Sequence, residues 1–293
     1  MGFKGIYKNK SSVSKIGMLF LLILTSVIIH TLVALALIFL FTNNSMDIIP
    51  HQDLTNQSYV NHLKFMQLFS GVGMFITPTL LYAYITDFDF KFVRISRGDT
   101  LLVFAIMMLI TPFVGLLLEW NMKISFPEWI LQFDINSEAI VNAFLKMDTI
   151  WDLLYTIIVI AVVPAIGEEL LFRGYLQQKF GNWLTSPHIA IFIASFLFSA
   201  IHLDAQGLVP RFALGILLGY LYYWSGSLWL PILAHFANNA QAIIFAYPPF
   251  KVDSGSYSIL SDTNADPILG FCSFFSVVLL LYLLHKNLGI KEY

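Results

Sequence analysis

The chain has 293 residues, of which 58% are hydrophobic and 12% are charged. A soluble domain carries about 25% charged residues, so this composition excludes a soluble globular protein and predicts an integral membrane protein. The net charge of −2 and the lack of a basic stripe predict no nucleic-acid partner. The single cysteine, Cys272, excludes an internal disulfide, and its apolar surroundings predict a buried packing residue.

Eight apolar segments are candidates for membrane spans, because about 20 apolar residues cross a bilayer. We therefore predict an all-α fold, a polytopic bundle of about eight transmembrane helices. The segments cover residues 16–42, 64–86, 101–118, 150–178, 188–204, 208–224, 228–246 and 267–285. The first is too long for the apolar region of a signal peptide. Residues 119–149 have mixed polarity and are predicted to contain an interfacial helix.

The distribution of Lys and Arg predicts the orientation of these spans. The N-terminal tail and residues 87–100 and 173–179 are basic, whereas residues 43–63 contain neither Lys nor Arg. Cytoplasmic loops are enriched in Lys and Arg. We therefore expect a multi-pass plasma-membrane protein with both termini in the cytoplasm, although Arg211 does not fit the alternation.

Four residues in the spans are given structural roles. Pro164 has no N–H group, so it should kink its helix and free a backbone carbonyl. Gly215 and Gly219 form a small-xxx-small face that lets another helix approach closely. We interpret His30, alone in the first span, as a packing residue.

Glu168, Glu169 and Arg173 place three charges inside an apolar segment. Ionisable groups at membrane depth cost several kcal/mol unless they are paired, so they point to function by default. Glu169 and Arg173 are four residues apart, which predicts an ion pair on one helix face. Glu168 points about 100° away from Glu169 and is predicted to be available for chemistry.

Two further polar pairs at four-residue spacing follow: Phe198 with His202, and His235 with Asn239. At a rise of about 1.5 Å per residue, His202, His235 and Asn239 come to depths similar to that of Glu168. The sequence thus predicts one site distributed over three helices. A purely structural role, in which charged pairs lock helices together, is the alternative.

Peptide hydrolysis is the chemistry that suits this set of side chains. Glu168 would act as general base and, with His202, deprotonate a water molecule. His235 and Asn239 would donate hydrogen bonds to the developing oxyanion, and Phe198 would form the pocket wall. A zinc site made by Glu168, His202 and His235 is the alternative. We favour a site without metal or other cofactor, since no His-Glu-x-x-His pattern is present.

Glu168-Glu169-xxx-Arg173, Phe198-xxx-His202 and His235-xxx-Asn239, in this order, resemble the signature of the CPBP (CAAX protease and bacteriocin-processing, or Abi) family. This family includes the type II CAAX prenyl endopeptidase and proteins similar to lysostaphin resistance protein A. The resemblance implies a helical bundle with Glu168 as water-activating base, His202 as its partner, and Glu169 and Arg173 in support. It also implies a membrane-associated peptide or protein substrate, such as a prenylated protein.

The resemblance divides the chain into three parts. Residues 1–149 form three N-terminal spans with the interfacial segment, residues 150–245 form the protease-like core, and residues 246–293 form a loop and the last span. The predicted function is an intramembrane endopeptidase acting within the lipid bilayer. The alternatives are a non-catalytic immunity or scaffold protein of the same fold, and a small-solute transporter, which lacks support because no inverted repeat is visible.

Overall fold

The computed structural model describes residues 3–42, 53–250 and 266–288, and within them it contains helices and no strand. The predicted all-α fold is confirmed. In chain order the helices are α1 (Ser12–Phe41), α2 (Gln57–Thr86), α3 (Arg97–Met122), α4 (Glu128–Phe144), α5 (Ile150–Leu184), α6 (Pro187–Ala200), α7 (Leu208–Ser225), α8 (Trp229–Ala246) and α9 (Pro267–Leu288), with a 3₁₀ turn at Pro248–Phe250.

Five of the described helices, α1, α2, α3, α5 and α9, are long and apolar enough to cross a membrane. Helix α6 is a shorter apolar helix, and α7 and α8 have 18 residues each. The eight predicted segments correspond to α1–α3 and α5–α9, and α4 lies in the stretch of mixed polarity. The chain is therefore an integral membrane protein.

Polar side chains cap the starts of several helices. Thr149 and Asp152 form a reciprocal capping box at the start of α5, and Ser96 accepts a hydrogen bond from the Asp99 amide at the start of α3. These caps satisfy backbone N–H groups that have no partner inside the helix. At the other end of α7, Gly226 adopts the left-handed conformation that closes a helix (φ 59°).

The N-terminal tail, the loop after α2 and the turn before α8 lie at one end of the bundle. Lys8 Nζ donates to Asp87 Oδ2 at 2.8 Å, and the Leu228 amide donates to the Lys91 carbonyl at 3.0 Å. The basic segments that the charge pattern assigned to one side therefore share one end. That this end faces the cytoplasm stays a prediction, and residues 43–52 and 251–265 of the opposite loops lie outside the described residues.

Helix α5 is the centre of the bundle. It contacts α2, α6, α7 and α8, and all of its residues from 167 to 175 are buried. The outer helices α1 and α9 instead expose many large apolar side chains, as expected for surfaces that face lipid. The three charged residues of this segment, Glu168, Glu169 and Arg173, are thus buried within the protein.

Gly215 and Gly219 have the packing role predicted for them. A Cβ atom on Gly215 would lie 3.0 Å from Ser195 Cβ and 3.2 Å from Ser195 Cα. A Cβ atom on Gly219 would lie 2.7 Å from Ile191 Cγ2. Helix α6 therefore approaches α7 at a distance that only glycine allows.

His30 is also a packing residue, as its isolation in α1 indicated. Its Nδ1 lies 2.8 Å from the Ser26 carbonyl oxygen, and its Nε2 lies 3.3 Å from Thr77 Oγ1. A Cβ atom on Gly73 would lie 2.8 Å from His30 Cβ, so α1 and α2 are in close contact here.

Two predictions are corrected by the structure. Cys272 is exposed and not buried, because α9 buries the face that contains Ser273, Val277 and Leu284. The predicted span 188–204 ends early, because α6 terminates at Ala200. His202 consequently lies just beyond the helix.

We expect Gly215→Ala to lower the free energy of unfolding by about 1–3 kcal/mol, because the new methyl group overlaps the backbone of α6. Thermal unfolding in detergent measures the effect. Gly17→Ala is the matched control: Gly17 lies in α1, and a Cβ atom added there would have no neighbour within 4 Å, so this change should be neutral or stabilising. Equal unfolding temperatures for the two variants would contradict the close packing of α6 on α7.

Candidate active site

The two adjacent acids lie between two π-helical segments of α5. The first segment covers Ile157–Val162 and the second covers Leu170–Gln177. Short π-helical segments inside α-helices are frequent at functional sites. Glu168 and Glu169 occupy the last two positions of the α-helical turns between these segments.

Glu169 and Arg173 form an ion pair whose side chains are both completely buried. Arg173 Nη1 donates to Glu169 Oε1 at 2.6 Å, and Arg173 Nη2 donates to the Gly215 carbonyl at 3.0 Å. The same Glu169 oxygen accepts a hydrogen bond from His235 Nδ1 at 2.9 Å. This carboxylate therefore links α5 to α8 and, through Arg173, to α7.

The second acid, Glu168, faces two histidines from different helices. His202 Nε2 lies 3.9 Å and His235 Nε2 lies 4.0 Å from Glu168 Oε2. These separations are too long for direct hydrogen bonds, and a single water molecule is able to bridge groups at such distances. The structure thus brings together the three residues that the sequence placed on separate helices.

The partners of the other ring nitrogens define the tautomers of the two histidines. His202 Nδ1 lies 2.7 Å from the Phe198 carbonyl oxygen, and His235 Nδ1 lies against the Glu169 carboxylate. Both oxygens accept hydrogen bonds, so each Nδ1 carries a hydrogen. When the two imidazoles are neutral, each Nε2 then presents a lone pair towards Glu168. His235 is able to donate a hydrogen bond from Nε2 to an oxyanion only when it is protonated to an imidazolium.

Phe198 is in contact with three members of this cluster. The Arg173 guanidinium carbon lies 4.5 Å from the centre of its ring, within the range of a cation–π interaction. The ring centroids of His202 and His235 lie 5.2 and 5.8 Å away in edge-on arrangements. The Phe198 ring therefore packs against the Arg173 cation and against both imidazoles.

Asn239 makes a contact that connects it to the proline of α5. Its Nδ2 donates to the Ile160 carbonyl at 3.0 Å, and its Oδ1 accepts from Asn238 Nδ2 at 3.1 Å. In a regular α-helix the Ile160 carbonyl would bond to the amide of residue 164, which in Pro164 is missing. Asn239 thus binds the carbonyl that Pro164 was predicted to free, and one Nδ2 hydrogen remains for another acceptor.

Arg211 and Asp204 are charged residues beside the site to which the sequence analysis gave no role. Arg211 Nη2 donates to Asp204 Oδ2 at 2.7 Å, and the Gly207 amide donates to Asp204 Oδ1 at 2.9 Å. The signal that identifies Arg211 is its position inside a predicted span, where an unexplained charge points to function.

The zinc alternative can be compared with the observed donor positions. A histidine that binds zinc does so through an unprotonated ring nitrogen, and its other ring nitrogen typically donates a hydrogen bond to an oxygen acceptor. Both His202 and His235 have this arrangement. Ligands around tetrahedral zinc are, however, about 3.3 Å apart, less than the 3.9 and 4.0 Å measured from Glu168 Oε2. In the described ranges no group of three His, Cys, Asp or Glu side chains is arranged to hold a metal ion. The measured separations are thus wider than those around a bound zinc ion.

Residues 150–241 match the family model described as type II CAAX prenyl endopeptidase Rce1-like. The match confirms the predicted family resemblance. It covers α5 to α7 and most of α8, and this stretch of the chain contains every predicted site residue. The region that resembles CAAX proteases therefore lies within the helices of an integral membrane protein.

Curated relatives support the same family. The chain is 36% identical to uncharacterized protein YpbD of Bacillus subtilis, over 29% of this chain and 42% of the relative. It is 31% identical to putative membrane peptidase YdiL of the same species, over 36% of this chain and 43% of the relative. It is 26% identical to membrane-embedded CAAX protease MroQ of Staphylococcus aureus, over 29% of this chain and 37% of the relative. The chain thus spans less than half the length of these relatives. No solved structure matches the chain.

We expect Arg173→Met to lower the free energy of unfolding by about 3–5 kcal/mol, because it leaves the Glu169 carboxylate buried without a cation. The double variant Glu169→Gln/Arg173→Met removes both charges and should regain part of this loss. Thermal unfolding of both variants in the same detergent tests the ion pair. A double variant less stable than Arg173→Met would show that the ion pair is not the main contribution of Arg173 to the free energy of unfolding.

We also expect Asn239→Leu to destabilise the protein by about 1–3 kcal/mol, because the Ile160 carbonyl loses its donor. In a Pro164→Ala background the loss should shrink, since the alanine amide supplies an N–H group to α5. A double-mutant cycle of unfolding free energies measures this coupling. Additive effects would contradict the link between Asn239 and the proline.

Proposed function

We propose that this protein is an intramembrane endopeptidase that hydrolyses a peptide bond of a membrane-associated or lipid-modified protein or peptide. The observation that supports this proposal is the approach of two imidazole Nε2 atoms to within 4.0 Å of the Glu168 carboxylate. This group lies in the segment of α5 that is enclosed by protein. Such a cluster has the components of a general base and a water-binding site.

In the proposed reaction, Glu168 accepts a proton from a water molecule that is also hydrogen-bonded to His202 Nε2. The water oxygen forms a bond to the carbonyl carbon of the substrate, which produces a tetrahedral oxyanion. The carbon–nitrogen bond then breaks, and the proton held by Glu168 passes to the leaving amine. No step requires a metal or another cofactor.

The remaining site residues have proposed roles that follow from their contacts. His235 would stabilise the oxyanion from Nε2 in its imidazolium form, and Asn239 would donate its second Nδ2 hydrogen. Glu169 and Arg173 hold His235 in place, because the carboxylate they share fixes the Nδ1 side of that ring. Phe198 would form the wall of the pocket.

The substrate proposal depends on the position of the site in a membrane bundle and on the relatives. One relative is named a membrane-embedded CAAX protease and another a putative membrane peptidase. We propose a substrate that reaches the site from the lipid bilayer, as a membrane-associated peptide or a protein with a lipid anchor. We also propose a location in the plasma membrane with both termini cytoplasmic.

The decisive variant is Glu168→Gln, which keeps the size of the side chain and removes its basic oxygen. We expect kcat/KM to fall by about 10²–10⁴-fold, the usual contribution of a positioned general base, with little change in thermal unfolding. The assay measures cleavage of prenylated and unmodified membrane peptides by purified protein in liposomes. Glu128→Gln, an exposed acid on α4, is the matched control and should retain full activity.

A chelator arm of the same assay distinguishes the two chemistries. Unchanged cleavage with chelator, together with the loss in Glu168→Gln, supports the glutamate mechanism. Loss of cleavage with chelator and its recovery with zinc would replace it by a metal-dependent mechanism. Folded wild-type protein that cleaves none of the peptides would favour the non-catalytic immunity or scaffold role.

A further inference from the structure

His202 lies just beyond the end of the helix that precedes it. Helix α6 ends at Ala200 and the next helix begins at Leu208. Between them Leu203 adopts a left-handed backbone conformation (φ 51°) that is uncommon for a leucine. The position of the His202 ring therefore depends on the fixing of the loop 201–207 as well as on its contact with α6.

The side chain of Asn121, from the last turn of α3, binds this loop with all of its polar atoms. Asn121 Nδ2 donates to the Ala205 carbonyl at 2.7 Å and to the Gln206 carbonyl at 2.8 Å. Asn121 Oδ1 accepts from the Val209 amide at 2.9 Å. Asn121 is 1% exposed, so these three bonds are shielded from water.

The bond to Val209 also fixes the start of α7. This helix has Gly207 at its N-cap, which provides no side-chain acceptor. Backbone amides in a first helical turn have no partner inside the helix. Asn121 supplies this acceptor from another helix. It therefore holds both the end of the loop 201–207 and the first turn of α7.

His202 lies three residues before Ala205, the first residue whose carbonyl Asn121 binds. On one side His202 is attached to α6 by the bond from its Nδ1 to the Phe198 carbonyl. On the other side the loop is attached to α3 by Asn121. A displacement of about 1 Å in a catalytic group is enough to cost a large factor in rate, so each attachment that restrains the loop bears on the position of Nε2 opposite Glu168.

We propose that Asn121 is a positioning residue for His202, acting through the loop 201–207. This inference rests on the proposed function, since it assigns a role within the same reaction. Asn121 lies outside the region 150–241 that matches the family model. The protease-like helices of this chain would thus depend on α3 for the geometry of their own site.

The test uses two substitutions of Asn121 in the full-length protein. Asn121→Leu removes all three hydrogen bonds, and Asn121→Asp keeps the acceptor for Val209 while replacing the donor to the two carbonyls by an oxygen. We expect kcat to fall by about 10–100-fold in both variants with KM changed less than about threefold, because the binding surface stays in place. Glu119→Gln, which removes an exposed ion pair with Lys123 one half-turn earlier, is the control and should leave both constants unchanged.

A mutant cycle with His202→Ala separates positioning from general stability. In that background Asn121→Leu should change the residual kcat by less than about twofold, because no imidazole remains to be positioned. Equal losses with and without His202 would overturn the inference. Amide hydrogen exchange gives a second readout: protection of residues 207–209 should fall in Asn121→Leu and stay unchanged in Glu119→Gln, and unchanged protection in both would also overturn it.

The outcomes distinguish this inference from the proposed function on which it rests. Wild-type cleavage with no effect of either Asn121 substitution would reject the positioning role alone. A wild-type protein without any peptidase activity would reject the proposed function and the inference with it. Activity in Asn121→Asp that exceeds activity in Asn121→Leu, with both below wild type, would support a contribution from the Val209 bond.

Discussion

The buried carboxylate of Glu169 is the group on which the arrangement of the site depends. One of its oxygens receives hydrogen bonds from both Arg173 and His235. Desolvating two charges is costly, and the cost is offset only when geometry and additional hydrogen bonds are good. Here the guanidinium also donates to the Gly215 carbonyl. The ion pair therefore joins three helices and orients the histidine whose other nitrogen faces Glu168.

Close packing between α5, α6 and α7 makes these polar contacts possible. The carbonyls of Gly215 and Gly219 accept hydrogen bonds from Arg173 and Gln177, both at 3.0 Å. The donors are four residues apart on α5 and the acceptors are four residues apart on α7, so the two helices meet through one repeated contact. A glycine pair that sequence assigns to packing thus also supplies acceptors for buried side chains of the site.

Helices outside the family-matched region complete the surroundings of the site. Helix α2 packs against α5 beside the two acids, and a Cβ atom on Gly167 would lie 2.6 Å from Phe75 Cβ. Helix α3 reaches the loop after α6 through Asn121. These contacts connect residues that are more than 80 positions apart in sequence. The protease-like core therefore gains its enclosure and its loop geometry from the N-terminal helices.

The sequence by itself determined the features that depend on local periodicity. Apolar segments set the helices, and a spacing of four residues placed Glu169 on the same face as Arg173. Pro164 established that a carbonyl would be freed. Each of these follows from helical geometry and from the chemistry of one residue, without knowledge of the neighbours.

Only the tertiary structure decided which groups from different helices meet. It gave the carbonyl freed by Pro164 to Asn239, gave Glu169 a second partner in His235, and turned Cys272 away from the packed face of α9. These outcomes depend on the rotation and depth of each helix relative to its neighbours. A period of 3.6 residues fixes the faces of a single helix but does not specify which face of another helix it contacts.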